Sequence, residues 1–425
     1  MKIDDFQPFD QPGRPGESLK KETDNFQTPE EVAATDDIEQ AATVPTESLA
    51  EDDTDTMANK TKRAQSSHKQ GGRFDLHWPP GKKEWAVIVV AVLLIGLGIF
   101  LLLDHHSAKP VATLKPAPVK QIKKSTTVAS RLTGVQVTPA LAQLPVTGVM
   151  IENSDGARPQ SGLSQAGVVF EALAEGGITR FLALYEEGQP SSIGPVRSAR
   201  PYYIDWLLPF DAAYAHVGGS PQALSEIQSA NVRDMNQFYN SGAYTRITSR
   251  QAPHNVYTSM ANLLSLEKSK GWTTSSFTGF SRKSDNPSKT PTVTSINLNI
   301  AGPDMAVHYQ YDPTLDSYKR SEAGAPMIDS NTNQQLEPKV VVAMVVPWTN
   351  GPLDASGAHY TDYSDIGSGT VYIFQDGTVT QGVWSKTAPT SQIQFKTTSG
   401  STIKLNAGQT WITAMGSPPE VTYSN

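Results

Sequence analysis

Four arginines, Arg158, Arg180, Arg197 and Arg200, stand in glycine- and proline-rich segments where strands or helices are expected to end. A guanidinium fork in such a place can grip a carboxylate or a phosphate through two parallel hydrogen bonds. It can equally pair inside the fold, with Glu171, Glu175 and Asp205 as candidates. The turn Gly218-Gly219-Ser220 opens an expected helix, so its backbone N–H groups and the positive end of the helix dipole add a second anion-attracting feature. His216 and His254 are candidates for acid–base work, the common role of this residue type, although a lone histidine more often packs or makes a structural hydrogen bond. His254 belongs to the polar loop Arg250-Gln251-Ala252-Pro253-His254-Asn255, where several side chains could converge.

The expected binding set is therefore Arg158, Arg180, Arg197, Ser198, Arg200, His216, Ser220, His254 and Asn255. Its centre would be an anion pocket between Arg197-Ser198-Ala199-Arg200 and the helix start at Ser220, with Arg158 and His254 at the rim. An alternative set for catalysis is Glu171, Glu175 and His254, because two carboxylates on one face are what a glycosidase requires. Adjacent carboxylates beside an arginine are more often a structural pair. Serine-hydrolase, HExxH, phosphate-loop and dinucleotide fingerprints are absent. Asp304-Met305-Ala306-Val307-His308 holds ligand-type side chains without a metal spacing, and neither metal nor cofactor is expected.

The elements that must position these residues follow from hydrophobic pattern and turn chemistry. Pro145 to Ile151 reads as a first strand. Gly167–Glu175 and Ile178–Tyr185 read as a hairpin closed by Gly176-Gly177, with a helix as the competing reading of the first arm. If that arm is a strand, Glu171 and Glu175 share a face. A short helix starts near Pro201, a strand covers Asp211–Val217, and Ser220-Pro221 caps and opens another helix. A further helix runs from Ser259 to Lys270, capped by Thr258 and stopped at Gly271. A polar stretch, 273–292, separates this half from one in which helical signals fade. There Val340–Val346 reads as a buried strand, and Gly369–Phe374 with Thr378–Trp384 as a hairpin on the favoured Asp376-Gly377 turn. Further strands are expected near Ile393–Phe395 and Thr410–Met415.

Ahead of this module, Trp85 to Leu103 carries no charge, and such a helix at ~1.5 Å per residue matches a hydrocarbon core of ~30 Å. It is expected to be a single transmembrane helix. Basic residues flank both ends, so the positive-inside count is equivocal, but the Lys82-Lys83 doublet favours a cytoplasmic amino terminus. Residues 1–84, acidic and then basic, lack apolar periodicity and read as a disordered cytoplasmic tail, and 104–140 as an extended spacer. With Cys 0 the chain has no disulfides, no cysteine nucleophile and no lipobox cysteine.

Several stretches resemble the YerB-like family of bacterial envelope proteins, a two-part domain. They include Ala157-Arg158-Pro159-Gln160-Ser161-Gly162-Leu163, the Glu171–Phe181 hairpin, Ile193 to Pro201, Ala252 to Tyr257, Gly382-Val383-Trp384-Ser385-Lys386 and Leu405 to Trp411. The resemblance implies exposure on the outer face of the membrane and supplies no chemistry. Many members resemble lipoproteins anchored through a cysteine; in this chain the apolar segment 85–103 stands in its place. The expectation is thus an α+β or α/β first domain, 141–290, and a mostly β second domain, 291–425, outside the cell membrane. The expected partners are the membrane through 85–103 and an anionic or glycan wall polymer or an envelope protein, with no nucleic acid.

Overall fold

The structure is a computed structural model that describes residues 82–104 and 126–425 except 355. The expected tail up to residue 81 and the first part of the spacer lie outside the described residues. The chain divides into two units, 1–113 and 114–425.

In the first unit the backbone is helical from Lys82 to Asp104, enclosing the apolar run. Its described side chains, Val89 to Phe100, are mostly exposed, for example Leu93 at 66% and Phe100 at 65%. Taken over the described residues alone, no helix is long and apolar enough to cross a membrane.

The second unit is mostly β, with few helices. Its centre is a ten-stranded mixed sheet. From one edge to the other its strands are Gln394–Thr397, Thr378–Lys386, Gly367–Gln375, Val340–Val345, Thr410–Met415, Val168–Leu173, Thr179–Tyr185, Thr147–Glu152, Ala213–His216 and Arg233–Asn236. The segments 141–290 and 291–425 both contribute to it, meeting where Thr410–Met415 lies parallel to Val168–Leu173. A five-stranded antiparallel sheet is built from Ala325–Pro326, Ser317–Glu322, Ala306–Asp312, Ser295–Asn299 and Val421–Ser424.

The arm with two readings is a strand, Val168–Leu173, paired antiparallel with Thr179–Tyr185. Its β-branched and aromatic residues are buried on both faces. Val168, Phe170 and Ala172 join a core shared with Tyr203, Trp206 and Leu207, whereas Val169 joins a second core with Phe181, Trp411 and Leu263. Helices Pro201–Leu207 and Pro221–Ser229 supply residues to the first core, and Met260–Ser269 to the second. Gly148 admits the first helix, since a Cβ there would collide with Leu207 Cδ1. That approach positions Arg200, which enters the helix at Pro201.

Four local expectations are corrected. The helix expected to be capped by Thr258 begins at Met260, with Ser259 accepting from Asn262 N–H. Glu171 lies in the strand but Glu175 falls in the turn beyond it, so alternation no longer relates them. Part of the expected spacer belongs to the fold, because Leu132 is fully buried and Ser130 and Thr133 hydrogen-bond to Glu186 and Glu187. The polar stretch 273–292 is likewise integrated, burying Phe280 and pairing Arg282–Lys283 with Leu405–Asn406.

Candidate functional site

Each of the four singled-out arginines meets a carboxylate of the chain itself. Arg158 bonds Asp155 and Glu322 at 3.1 and 3.0 Å, and Arg197 lies 3.2 Å from Glu152. Arg180 and Arg200 clasp opposite oxygens of Glu175, Arg200 at 2.6 Å. Burial and the neighbouring Arg200 pull the Arg180 guanidinium down, and Glu175 opposes them. Arg180 also donates to the Ser198 carbonyl, the role the structure gives that residue.

The histidines are held in the same manner. His216, fully buried, bonds the Gly218 carbonyl through Nδ1 and Asp234 through Nε2, at 2.7 and 3.0 Å. Burial pushes Asp234 up, but the His216 hydrogen bond and charge bring its carboxyl below the usual range. His254 Nδ1 lies 2.8 Å from Glu152, the carboxylate that also serves Arg197. Asn255 accepts from Arg246. Glu171 is fully buried against Arg320, Trp411 and Thr413. Glu171, Glu175 and His254 therefore share no partner, and each glutamate is engaged by arginines of the chain itself.

Arg158, Arg197 and His254 are not among the residues that line the cavity at Ser220. Arg158 lines a hollow with Glu322, Pro326 and Met327, and His254 another with Asp155, Asp304 and Met305. What the structure does bring together is Arg200 and Ser220. They line a cavity of about 480 Å³ with Pro201, Pro221 and Gln222 on one side. The other side is the hairpin formed by Trp348–Leu353 and His359–Tyr363, through Gly351 to Asp354 and Tyr360 to Asp362.

Ser220 caps its helix by accepting from Ala223 N–H at 3.3 Å, as its position before Pro221 predicts. Tyr360 lies over the Arg200 guanidinium at 4.9 Å. Asp354 is held ionised, below the usual carboxylate range, first by the Ser356 hydroxyl and then by the N–H groups of Ala358 and Ser356. Arg180 and Arg200 share the one carboxylate of Glu175, so that group keeps one positive charge, and the carboxylates of Asp354 and Asp362 stand against it at the cavity. The walls at Pro201, Pro221, Pro352 and Leu353 are apolar.

Sequence reasoning missed the hairpin wall. Trp348–Leu353 contains Gly351-Pro352, and its exposure has no alternation to mark it as a strand. It also missed Arg320, a charged residue in a strand whose partners are remote in sequence. In strand Ser317–Glu322 the buried positions include Tyr318, Arg320 and Glu322, while Lys319 and Ser321 between them are only half-buried. Alternation could have placed Arg320 on the same face as Tyr318, but two charged residues among three make that face read as solvated.

Comparison with known proteins places this architecture. Residues 132–273 match the N-terminal domain of a protein family of unknown function, DUF3048, and residues 296–412 match its C-terminal domain. The "Putative lipoprotein YerB" of Bacillus subtilis (strain 168) is 30% identical over 308 residues, covering 72% of this chain and 88% of the relative. The crystal structure of the YerB protein from Bacillus subtilis superposes with a TM-score of 0.62 at 28% identity, over 70% of this chain and 100% of that one. The match starting at residue 132 agrees with the burial of Leu132. With both halves matched in order and the fold shared, the chain belongs to the YerB-like DUF3048 family.

Proposed function

We propose that the chain is a membrane-anchored envelope module whose cavity binds an extended segment of an envelope protein, apolar and carrying a cationic group. The cavity of about 480 Å³ carries this reading: apolar walls and two carboxylates, Asp354 and Asp362, which outnumber the one positive charge that Arg180 and Arg200 keep after sharing Glu175. An anionic polymer would meet Asp354 and Asp362 there, two negative charges against the one positive charge left on the Arg180–Glu175–Arg200 group. Among the described residues, strand Trp348–Leu353 has one partner strand, so its outer edge offers backbone groups to an extended chain.

The anchor reading rests on the charge-free run from Trp85 to Leu103, which spans more residues than the described side chains cover. The name of the Bacillus relative also points to a membrane-attached protein. The Lys82-Lys83 doublet favours a cytoplasmic amino terminus. In intact cells, a cysteine introduced at Ser107 should react with an impermeant thiol reagent and one at Ser66 should not; the reverse pattern would overturn this topology.

Ligand class is tested with the full chain in nanodiscs of zwitterionic lipid, titrated with an extended Leu/Lys peptide and its Leu/Glu counterpart. The Leu/Lys peptide should bind in preference. Leu353→Ser should weaken it about tenfold through lost apolar burial. Asp354 and Asp362 changed together to Asn should weaken it several-fold at low salt, roughly the worth of exposed ion pairs. Preference for the Leu/Glu peptide, or indifference to all three substitutions, would reject the reading.

A further inference from the structure

At the far edge of the large sheet the chain turns after strand Arg233–Asn236 and presents two aromatic residues to solvent, Phe238 at 65% and Tyr239 at 82% exposure. The turn that carries them is firmly bonded. Asn236 Oδ1 accepts from the N–H groups of Gly218 and Phe238 at 3.1 and 3.2 Å. The Asn236 carbonyl accepts from Tyr239 N–H, Asn240 N–H and Asn240 Nδ2. The backbone that carries the rings is thus fixed, so a ligand need not order the turn.

Between this turn and helix Met260–Ser269 lies a cleft of about 410 Å³. From the turn it is lined by Tyr239, Asn240 and Ser241, and from the helix by Asn262, Ser265 and Ser269. The helical positions recur at three and four residues, which places them along one side. No charged side chain lines the cleft. Amides and hydroxyls both donate and accept, so this set matches a ligand dense in neutral hydroxyls and amides, and discriminates against ions that need a counter-charge. A flat exposed ring beside such groups matches a ligand with an apolar face and a polar perimeter.

We infer that the cleft between the Phe238–Gly242 turn and helix Met260–Ser269 binds a neutral saccharide, with Tyr239 as the platform for one sugar ring. This site is separate from the cavity at Arg200 and Ser220, shares no lining residue with it, and does not depend on the peptide reading.

Gly242 makes a clean test. It lines the cleft, and an added Cβ would meet no atom within 4 Å, so a side chain there fills the site without displacing the fold. The full chain in zwitterionic nanodiscs is titrated by calorimetry with two neutral oligosaccharides, chitotetraose and maltotetraose, and with sulfated heparin tetrasaccharide as the anionic arm. At least one neutral oligosaccharide should bind, and the sulfated one should not compete. Tyr239→Ala should lower that affinity tenfold or more and Gly242→Leu should abolish it, both with an unchanged melting temperature. Leu353→Ser should leave it intact, which separates failure here from failure of the peptide site. Absence of neutral saccharide binding by the parent chain, binding that survives both Tyr239→Ala and Gly242→Leu, or preference for the sulfated probe would each overturn the inference.

Discussion

Replacing Arg320 with methionine should destabilise the folded unit by about 3–5 kcal/mol, the usual cost of leaving buried charge without its partner. Arg320 is fully buried and bonds Glu171 at 2.9 Å and Glu322 at 3.2 Å, both carboxylates being almost wholly excluded from solvent. Its other nitrogen donates to Tyr309 at 2.8 Å, and its plane lies 4.5 Å from the Trp411 ring centre. Burial alone would lower its pKa, but Glu171, Tyr309 and Glu322 more than reverse that, so it remains a cation. Burial pushes Glu322 up and Arg320 opposes the shift. Without Arg320, Glu322 would keep Arg158, but Glu171 would be left fully buried with only neutral donors, among them Trp411 and Thr413, and could escape charge only by taking up a proton.

The group also joins the halves, because Glu171 comes from the first and Arg320 and Glu322 from the second. Urea denaturation should show the loss as a lower midpoint with an unchanged slope. Adding Glu171→Gln and Glu322→Gln to Arg320→Met should restore most of it, since no buried charge is then left without a partner, the partly exposed Arg158 keeping Asp155. A single Arg320→Met variant within about 1 kcal/mol of the parent would contradict the account.

The second large effect is a loss of stability as pH rises from about 5 to 8, on the order of 2–3 kcal/mol. Asp205 and Glu226, on neighbouring helices, Asp365, after strand His359–Tyr363, and Lys386, ending strand Thr378–Lys386, form one largely buried group. Burial pushes Asp365 up to about 8, with Asp205 and Glu226 adding to it and Lys386 opposing. Glu226 rises to about 7 through burial and then Asp205, and Asp205 rises through burial. Asp205 Oδ1 and Asp365 Oδ2 are buried without a hydrogen-bond partner, while Lys386 Nζ donates to the carbonyls of Pro389 and Ser391.

A carboxyl whose folded pKa exceeds its unfolded value holds a proton that the unfolded chain has already released. Its stabilisation is complete below the unfolded pKa, about 4, and disappears as pH passes through 7 to 8. Glu267, raised by burial to about 7 against its bond from Thr147, adds in the same direction. Glu226 is half-buried, so water screens much of its share. Lys386 has the opposite sign: burial lowers it to about 8, and stability recovers as the unfolded lysine loses its advantage above that pH. Thermal melting at pH 5 and 8 should show the decline, and Asp365→Asn should flatten it and raise stability at pH 8. A parent curve that is flat or rising over that window would contradict the assignment.

Local chemistry in the sequence determined much of the secondary structure. The Gly176-Gly177 and Asp376-Gly377 hairpins form as read because those residues accept positive φ, 59° and 76° in the first pair and 56° and 68° in the second. Ser220-Pro221 caps and opens its helix for reasons contained in two residues. The family, too, was legible, since its motifs are contiguous stretches. Tertiary structure alone decided which charges meet. Glu171 and Arg320 are 149 residues apart, and an arginine that ends against a carboxylate of its own fold is, in sequence, indistinguishable from one free to grip a ligand. It also decided the sites: Arg200 and Ser220 acquire a cavity only because hairpin Trp348–Tyr363 folds over them from the other half. Periodicity reports the face a residue presents, which is a property of a few successive backbone angles. The partner waiting at that face depends on strand order across the sheet, set by burial summed over the entire unit, and no local pattern encodes it.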